Sequence, residues 1–245
     1  GDVDGDGQIE IGIGTNEAVN NGRESVSYMF DALTGTLEPD WPQTQQGLLG
    51  IATLLPLLGE GHPSSLAYAD IDGDGDLEIG SPVMLGIHAP VHHDASQALD
   101  ISFYGSDFHE DSNADVPSLI QMISNPSWGD LNLDGVPEFV MSGVSSVYLA
   151  SIASRTVIEY RQAVGAWDGV TGEILPGWPR QIEDVQFLST PAIADVSGDG
   201  FPEVIAVSGG FLMHAWDKDG VEALGWPKFT GGWMIGTPSV GDING

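Results

Sequence analysis

Short apolar runs separated by polar turns recur along the chain, and residues 190–229 show the pattern most clearly. Apolar residues dominate 190–195 (TPAIAD), 202–208 (PEVIAVS), 211–216 (FLMHAW) and 223–229 (ALGWPKF), with Gly and Asp between them. Short runs bounded by turn-forming residues are typical of β-strands. This segment therefore predicts four strands in an antiparallel meander.

The acidic stretch between the first two of these runs is repeated along the chain. Its copies begin at Asp2, Asp70, Asp130, Asp195 and Asp242, so successive copies start 68, 60, 65 and 47 residues apart. A four-stranded sheet that recurs roughly every 50–60 residues is typical of a β-propeller blade. We predict an all-β chain, in which residues 1–245 are a single β-propeller domain of about four four-stranded antiparallel blades. The longer steps predict insertions at about 42–66 and 83–125.

Each copy places oxygen-bearing side chains at regular positions. Counting the first Asp as position 1, oxygen donors occupy positions 1, 3, 5 and 9 in the four complete copies, and position 6 is glycine in all four. Positions 2 and 10 are apolar and are expected to anchor the ends of the loop to the sheet. Position 7 varies in chemistry, as expected if it contributes only its backbone carbonyl.

This alternation suits a loop that curls round one hard cation. Calcium prefers six to eight oxygen ligands and accepts backbone carbonyls. The pattern predicts about four Ca²⁺ sites, in the first loop (2–10), second loop (70–78), third loop (130–138) and fourth loop (195–203), with a fifth cut short at the C-terminus. The candidate ligands are Asp2, Asp4, Asp6, Gln8 and Glu10; Asp70, Asp72, Asp74, Asp76 and Glu78; Asp130, Asn132, Asp134, Val136 and Glu138; Asp195, Ser197, Asp199, Phe201 and Glu203; and Asp242 and Asn244.

Two other interpretations of these loops are open. An EF-hand requires a bidentate Glu at position 12 and flanking helices, whereas position 12 here is Ile13, Ser81, Met141 or Ala206. Ordinary polar turns also use Asp and Gly. Four copies with matched donors favour a cation site between two strands.

A second motif recurs in phase with the acidic loops. The stretches 30–42 (FDALTGTLEPDWP), 167–179 (WDGVTGEILPGWP) and 216–227 (WDKDGVEALGWP) share an aromatic residue, an Asp, a Gly turn and a Trp-Pro pair. An aromatic residue at one position of each repeat is expected to pack between neighbouring sheets, rather than to form a platform for sugars. The second repeat lacks this motif, and 99–111 (LDISFYGSDFHED) is interpreted as a diverged version.

Composition limits the partners. Thirty-six acidic residues against 6 basic ones leave a net charge of −30. This charge argues against nucleic acid, which requires Lys and Arg to displace counterions, and against anionic membranes. The longest apolar run, 47–59, is too short to span a bilayer and contains Pro56, so no membrane insertion is expected.

Histidines in the 83–125 insertion are the candidates for chemistry other than calcium binding. His88, His92, His93, His109 and Glu110 could gather a transition metal or form an acid–base pair. Their spacing is not diagnostic, and solvated loop histidines are the favoured interpretation. Since no catalytic motif is found, a non-enzymatic role is favoured over an enzymatic one.

The four loops, with the apolar residue after each Glu, resemble the FG-GAP/VCBS-type calcium-loop repeats of integrin-α-like β-propellers. The Trp-Pro half resembles versions in bacterial secreted and surface proteins. The resemblance implies calcium between the first and second strands of each blade and an extracellular or cell-surface location. It also implies a parent propeller of seven or eight blades, of which this chain is a fragment truncated at both ends. The chain departs from the family in using Glu at position 9, where Asp is frequent, and in lacking a literal Phe-Gly and Gly-Ala-Pro.

Three functions are compatible with this pattern. The favoured one is a calcium-binding module that recognises or adheres to an extracellular protein or carbohydrate. The second is the propeller of a secreted carbohydrate-active enzyme, either a polysaccharide lyase or a hydrolase. The third is a purely architectural repeat.

Overall fold

A computed structural model describes residues 1–19, 24–46, 66–80, 84–86, 90–99, 119–122, 126–145, 154, 162–184, 189–234 and 236–244. Within these residues the regular structure is almost entirely β-strand, in four antiparallel sheets. The prediction of an all-β chain is confirmed. Within the described residues, no helix has the length and apolarity that a membrane crossing requires. Most of the predicted insertions at 42–66 and 83–125 lie outside the described residues.

The strands are short and follow the repeats along the chain. They are β1 (Glu10–Val19), β2 (Glu24–Asp31), β3 (Gln43–Gln46), β4 (Ala67–Ala69), β5 (Glu78–Gly80), β6 (Met84–Gly86), β7 (Leu119–Met122), β8 (Ser127–Gly129), β9 (Glu138–Ser145), β10 (Gln162–Trp167), β11 (Arg180–Ile182), β12 (Ala192–Ala194), β13 (Glu203–Val207), β14 (Leu212–Trp216) and β15 (Lys228–Phe229).

We name four repeats by their residues: the first (1–46), second (66–99), third (126–184) and fourth (189–230). The fourth is a four-stranded meander in the order β12–β13–β14–β15, as predicted, although its last strand is shorter than the apolar run 223–229. The third has the order β8–β9–β10–β11, and β7 and β6 extend its sheet beyond the other half of β9. The first repeat forms β1–β2–β3, and the second pairs β4 with β5.

The core lies between consecutive repeats. Leu131, at position 2 of the third loop, packs with Trp178 of its own repeat and with Val204 and Trp216 of the fourth. Ile79, at position 10 of the second loop, packs in the same way against Val3 of the first repeat. Position 10 therefore faces the preceding repeat and position 2 the following one. The anchoring predicted for these positions is confirmed at Leu131 and Ile79, each of which packs against an adjacent repeat.

Two anchor residues differ from the prediction. Ile11, at position 10 of the first loop, is 55% exposed, because the described part of the chain places no sheet before β1. Val196, at position 2 of the fourth loop, is only partly buried. The apolar side chain at either position is therefore buried by the adjacent repeat, and not by its own sheet alone.

The tryptophans of the Trp-Pro pairs form the same contact at two junctions. Trp41 Nε1 donates to the backbone oxygen of His93, and Trp178 Nε1 to that of Lys218, each at 2.9 Å. Both indoles are buried, which confirms their predicted packing role, whereas Trp226 is partly exposed.

The Trp41 contact also corrects the assignment of the second repeat. Val91 pairs with Ile79 and Gln97, as Trp216 pairs with Val204 and Glu222. The aromatic-Asp-turn half of the second repeat therefore lies at 91–99. Its interpretation as 99–111 was wrong, because Val91 replaces the aromatic residue by which that half was recognised.

Candidate metal sites

The glutamate at position 9 has the same structural role in all four loops. It is buried, and one carboxylate oxygen accepts the backbone N–H of position 2, seven residues earlier. The N–H to Oε2 distances are 2.6 Å for Val3–Glu10, 2.8 Å for Ile71–Glu78, 2.6 Å for Leu131–Glu138 and 2.8 Å for Val196–Glu203. The glutamate thus closes the two ends of the loop on each other, with one carboxylate oxygen left for another partner.

The aspartates shape the interior of each loop. The position-5 carboxylate accepts the N–H of position 7 at 2.8–2.9 Å, at Gln8, Asp76, Val136 and Phe201. In the first, third and fourth loops the position-1 carboxylate accepts the N–H of the glycine at position 6. That glycine has φ between +88° and +98° in every loop, a conformation that disfavours a side chain.

This backbone brings carboxylate oxygens together. Oxygens within 4.8 Å of one another come from Asp2, Asp4 and Asp6, from Asp70, Asp72 and Asp74, and from Asp195, Asp199 and Glu203. In the third loop, Asn132 Nδ2 donates instead to Oε1 of Glu138 at 2.8 Å. In the first loop, Oδ1 of Asp2 is buried and accepts no hydrogen bond from the described residues. A buried acceptor without a donor fits a cation at that position.

The remaining predicted ligands are less informative. The side-chain nitrogen of Gln8 donates to Asp6 at 2.7 Å. The backbone carbonyl of Gln8 is the atom predicted to face an ion. Val136 and Phe201 have only their carbonyls to offer. In the fifth copy, Asp242 accepts the N–H of Asn244 at 3.1 Å.

Electrostatics differ among the loops. Burial raises the pKa of Glu138 to about 7, and the charges of Asp134 and Asp130 add to the shift, against the opposing hydrogen bond from Leu131. Burial also raises the pKa of Glu78, while hydrogen bonds from Ile71 and His92 oppose that shift. In both groups burial, which disfavours the charged form, is the largest cause of the raised pKa.

Two histidines of the 83–125 insertion contact the second loop. His92 Nδ1 lies 2.9 Å from Glu78 Oε1, and His93 Nδ1 lies 2.8 Å from Asp76 Oδ2. The interpretation of these two as solvated loop residues was wrong. His88, His109 and Glu110 lie outside the described residues. Alignment of Val91 with Phe30, Trp167 and Trp216 would have placed His92 beside the loop.

A separate cluster, centred on His214, was missed by sequence reasoning. His214 Nδ1 lies 2.9 Å from Glu222 Oε2, and its Nε2 lies 3.0 Å from Glu183 Oε1. Burial alone would lower the pKa of His214, but the hydrogen bonds and charges of Glu183 and Glu222 raise it to about 9. Because Glu183 follows β11 and His214 lies in β14, this ion pair joins the third repeat to the fourth. One histidine and two distant glutamates leave no local signal in the sequence.

A cavity of about 240 Å³ lies between the first repeat and the turn near the end of the second repeat. Trp41 and His93 contribute to its wall, with the carboxylates of Asp4, Glu10, Glu38, Asp40 and Asp94. Burial, together with the charges of Glu10 and Asp31, raises the pKa of Glu38. This lining favours a cationic occupant.

Comparisons with known proteins include a distant structural similarity. No family model and no curated protein matches the chain. The crystal structure of the V. cholerae biofilm matrix protein Bap1 is similar at 16% sequence identity and a TM-score of 0.41. The match covers 91% of this chain and 37% of Bap1, so the chain spans just over a third of that protein's length.

Proposed function

We propose that the chain is a calcium-binding β-propeller module of a secreted or cell-surface protein. It serves recognition or adhesion, and the calcium is structural. The observation that carries this proposal is the shared arrangement of the four loops, in which a buried glutamate closes the loop and the aspartates face inward.

The donor set favours calcium over other common cations. Positions 1, 3, 5 and 9 offer side-chain oxygens, and position 7 offers a carbonyl. With water or a bidentate carboxylate, these donors reach the six to eight ligands that calcium prefers. Magnesium demands a smaller octahedral shell and gives up its water reluctantly, so it suits a protein loop of this kind less well.

The contacts between repeats support a propeller. β8 lies next to both β4 and β12, so the first strands of successive repeats are neighbours. Gly129 permits the closest approach, since an added Cβ would lie 2.7 Å from Ile193 Cγ2. The indole contacts of Trp41 and Trp178 repeat the same junction. Sheets that meet through equivalent strands and equivalent contacts are expected of blades around one axis.

The proposal includes an extracellular location, which suits the same chemistry. Extracellular calcium modules bind with dissociation constants of about 10⁻⁴–10⁻³ M, so they are loaded outside a cell and empty in cytosol. A net charge of −30 would be partly neutralised by such loading.

The recognition role is supported by the acidic cavity beside the first loop. Its carboxylates and the nearby Trp41 would suit a cationic group on a partner, such as a lysine or arginine side chain or an amino sugar. The alternative of a carbohydrate-active enzyme places its chemistry in the insertions or in sequence outside this chain. Of the 83–125 histidines, the two that are described contact carboxylates of the second loop.

Calcium titration by calorimetry tests the proposal. The chain should bind about four Ca²⁺ ions, and each of Asp6→Ala, Asp74→Ala, Asp134→Ala and Asp199→Ala should remove about one. Glu173→Ala, which removes an exposed charge outside the loops, is the matched control and should leave the stoichiometry unchanged. A chain that takes up no calcium, or loses as much to the control as to the loop variants, would contradict the proposal.

A further inference from the structure

We propose that the second repeat binds a transition-metal dication of the Zn²⁺ class through Asp72, Glu78 and His92. In the described parts of the other three repeats, no histidine joins the loop carboxylates. The inference deepens the proposed function and rests on it, because the metal would share Asp72 and Glu78 with the calcium loop.

The three side chains already converge. One ligand atom from each lies within 4.8 Å of the other two, and His92 Nδ1 is 2.9 Å from Glu78 Oε1. Glu78 is fully buried and held from the other side by the N–H of Ile71, so its Oε1 has a fixed position. The His92 side chain is 29% exposed and Asp72 lies at the surface, which leaves a path for an ion.

His92 occupies a position that has another task in the other repeats. Its equivalents are Asp31, Asp168 and Asp217, and each accepts backbone N–H groups within its own turn. In the second repeat Asp94 takes over that task by accepting the N–H of Ser96 at 2.9 Å. The side chain at position 92 is thereby released from the turn, and it points at the acidic loop.

The nitrogen donor changes which metal the site favours. Calcium prefers oxygen ligands, whereas imidazole suits Zn²⁺, Cu²⁺ and Ni²⁺, and Zn²⁺ also accepts carboxylates. In the third loop the corresponding glutamate oxygen is met by the amide of Asn132, a hydrogen-bond donor that offers no lone pair to a metal. The second repeat is therefore the one expected to select a borderline metal.

The second histidine provides an internal control. His93 Nδ1 contacts Asp76 and is not part of the converging group, although it is adjacent in sequence and similarly exposed. Loss of His93 removes the same imidazole from the same surface. It therefore separates a built site from non-specific attraction of Zn²⁺ to an acidic chain that contains histidines.

The experiment is titration of the calcium-saturated chain with Co²⁺, followed by its visible absorption, and with Zn²⁺, followed by calorimetry. The expected result is one equivalent of each ion, with Co²⁺ bands typical of nitrogen and oxygen ligation. His92→Ala should weaken binding by at least about tenfold, since outer-shell changes alone cost 10–100-fold, and His93→Ala should leave it nearly unchanged. His92→Gln, which keeps a polar side chain of similar length, should behave like His92→Ala, and circular dichroism should show both variants folded.

Equal affinities for the native chain and His92→Ala would overturn the inference, as would an equal loss in His93→Ala. In either case the contact of His92 with Glu78 is an ion pair only. These outcomes can be distinguished from a failure of the calcium proposal. Calcium uptake by four loops without a His92-dependent Zn²⁺ site defeats only the inference, and a chain that binds no calcium defeats the proposed function.

Discussion

The second and fourth repeats both place a histidine against buried or half-buried carboxylates, but at different points in the fold. His92 lies at the end of the acidic loop, with Nδ1 on Glu78 and its ring partly exposed. His214 lies inside β14, stacked on Trp216, with a carboxylate on each ring nitrogen. A histidine with both nitrogens engaged supplies no lone pair and acts as a positive charge that joins two sheets. A histidine at the loop can exchange its carboxylate contact for a metal. Position in the repeat decides which role the same side chain has.

Removal of calcium by chelation is expected to have the largest effect on stability. Each calcium site contributes about 2.7 kcal/mol at a hundredfold excess over Kd, which corresponds to roughly 5 °C or more in Tm for a chain of this size. EGTA should therefore lower the Tm sharply, and magnesium should restore little of it. Asp74→Ala in the second repeat should reproduce more of the loss than Asp199→Ala in the fourth, because the second loop contains more carboxylates. A Tm unchanged by EGTA in a thermal melt would mean that the loops are ordinary turns.

Removal of the position-9 glutamate tests a role that both repeats share. Glu78→Ala leaves a buried N–H without an acceptor, at a cost of about 1–3 kcal/mol, and Glu203→Ala leaves partly buried N–H groups without one, whereas Gln at either position keeps an acceptor. Since Glu203 accepts the N–H groups of both Val196 and Ser197, its loss should cost more than that of Glu78. Urea denaturation in EGTA measures this role apart from metal binding. Equal stability of the Ala and Gln variants would show that the glutamate does not close the loop.

The pH dependence should distinguish the two histidines. The folded-state pKa of His214 is raised to about 9, so its contribution to stability is fully present below about pH 6.5 and is lost as the pH rises through 9. The expected loss is about 1–2 kcal/mol, because solvent screens the partly exposed Glu183. In chemical denaturation between pH 6 and pH 10, His214→Gln should remove this decline, and His92→Gln should retain it. A decline that persists in His214→Gln would assign it to another group.

The smallest expected effect is a difference in calcium affinity between the second and fourth loops. The second loop has Asp72 where the fourth has Ser197, and ligand charge tunes affinity in such sites. We expect the second loop to bind roughly tenfold more tightly, a difference of about 1.4 kcal/mol. Calorimetry on chains in which only one of these two loops is intact measures each site, with Asp74→Ala and Asp199→Ala as the paired knockouts. Tighter binding at the fourth loop would reverse the ranking.

Much of the candidate site could be predicted from local sequence. Position 6 requires glycine because the backbone there has positive φ, and the alternating donors follow from the loop that this glycine permits. The strands β12, β13 and β14 were predicted within two residues at either end, because period, length and turn residues agree over that segment. Such features depend on interactions among residues within about ten positions of one another, so the local sequence is enough to predict them.

Contacts between repeats were decided by tertiary structure alone. Whether Ile11 or Ile79 is buried depends on the sheet that lies against it, and the two residues have the same local pattern. The place of His92 beside Glu78 follows from the pairing of Val91 with Ile79. Because residue 91 is not aromatic, the sequence motif did not predict this pairing. The pair of Glu183 with His214 spans 31 residues and two sheets. A short-range pattern specifies the loop and its donors, whereas burial and charge pairing depend on which repeat packs on which, because the neighbouring sheet supplies half of each environment.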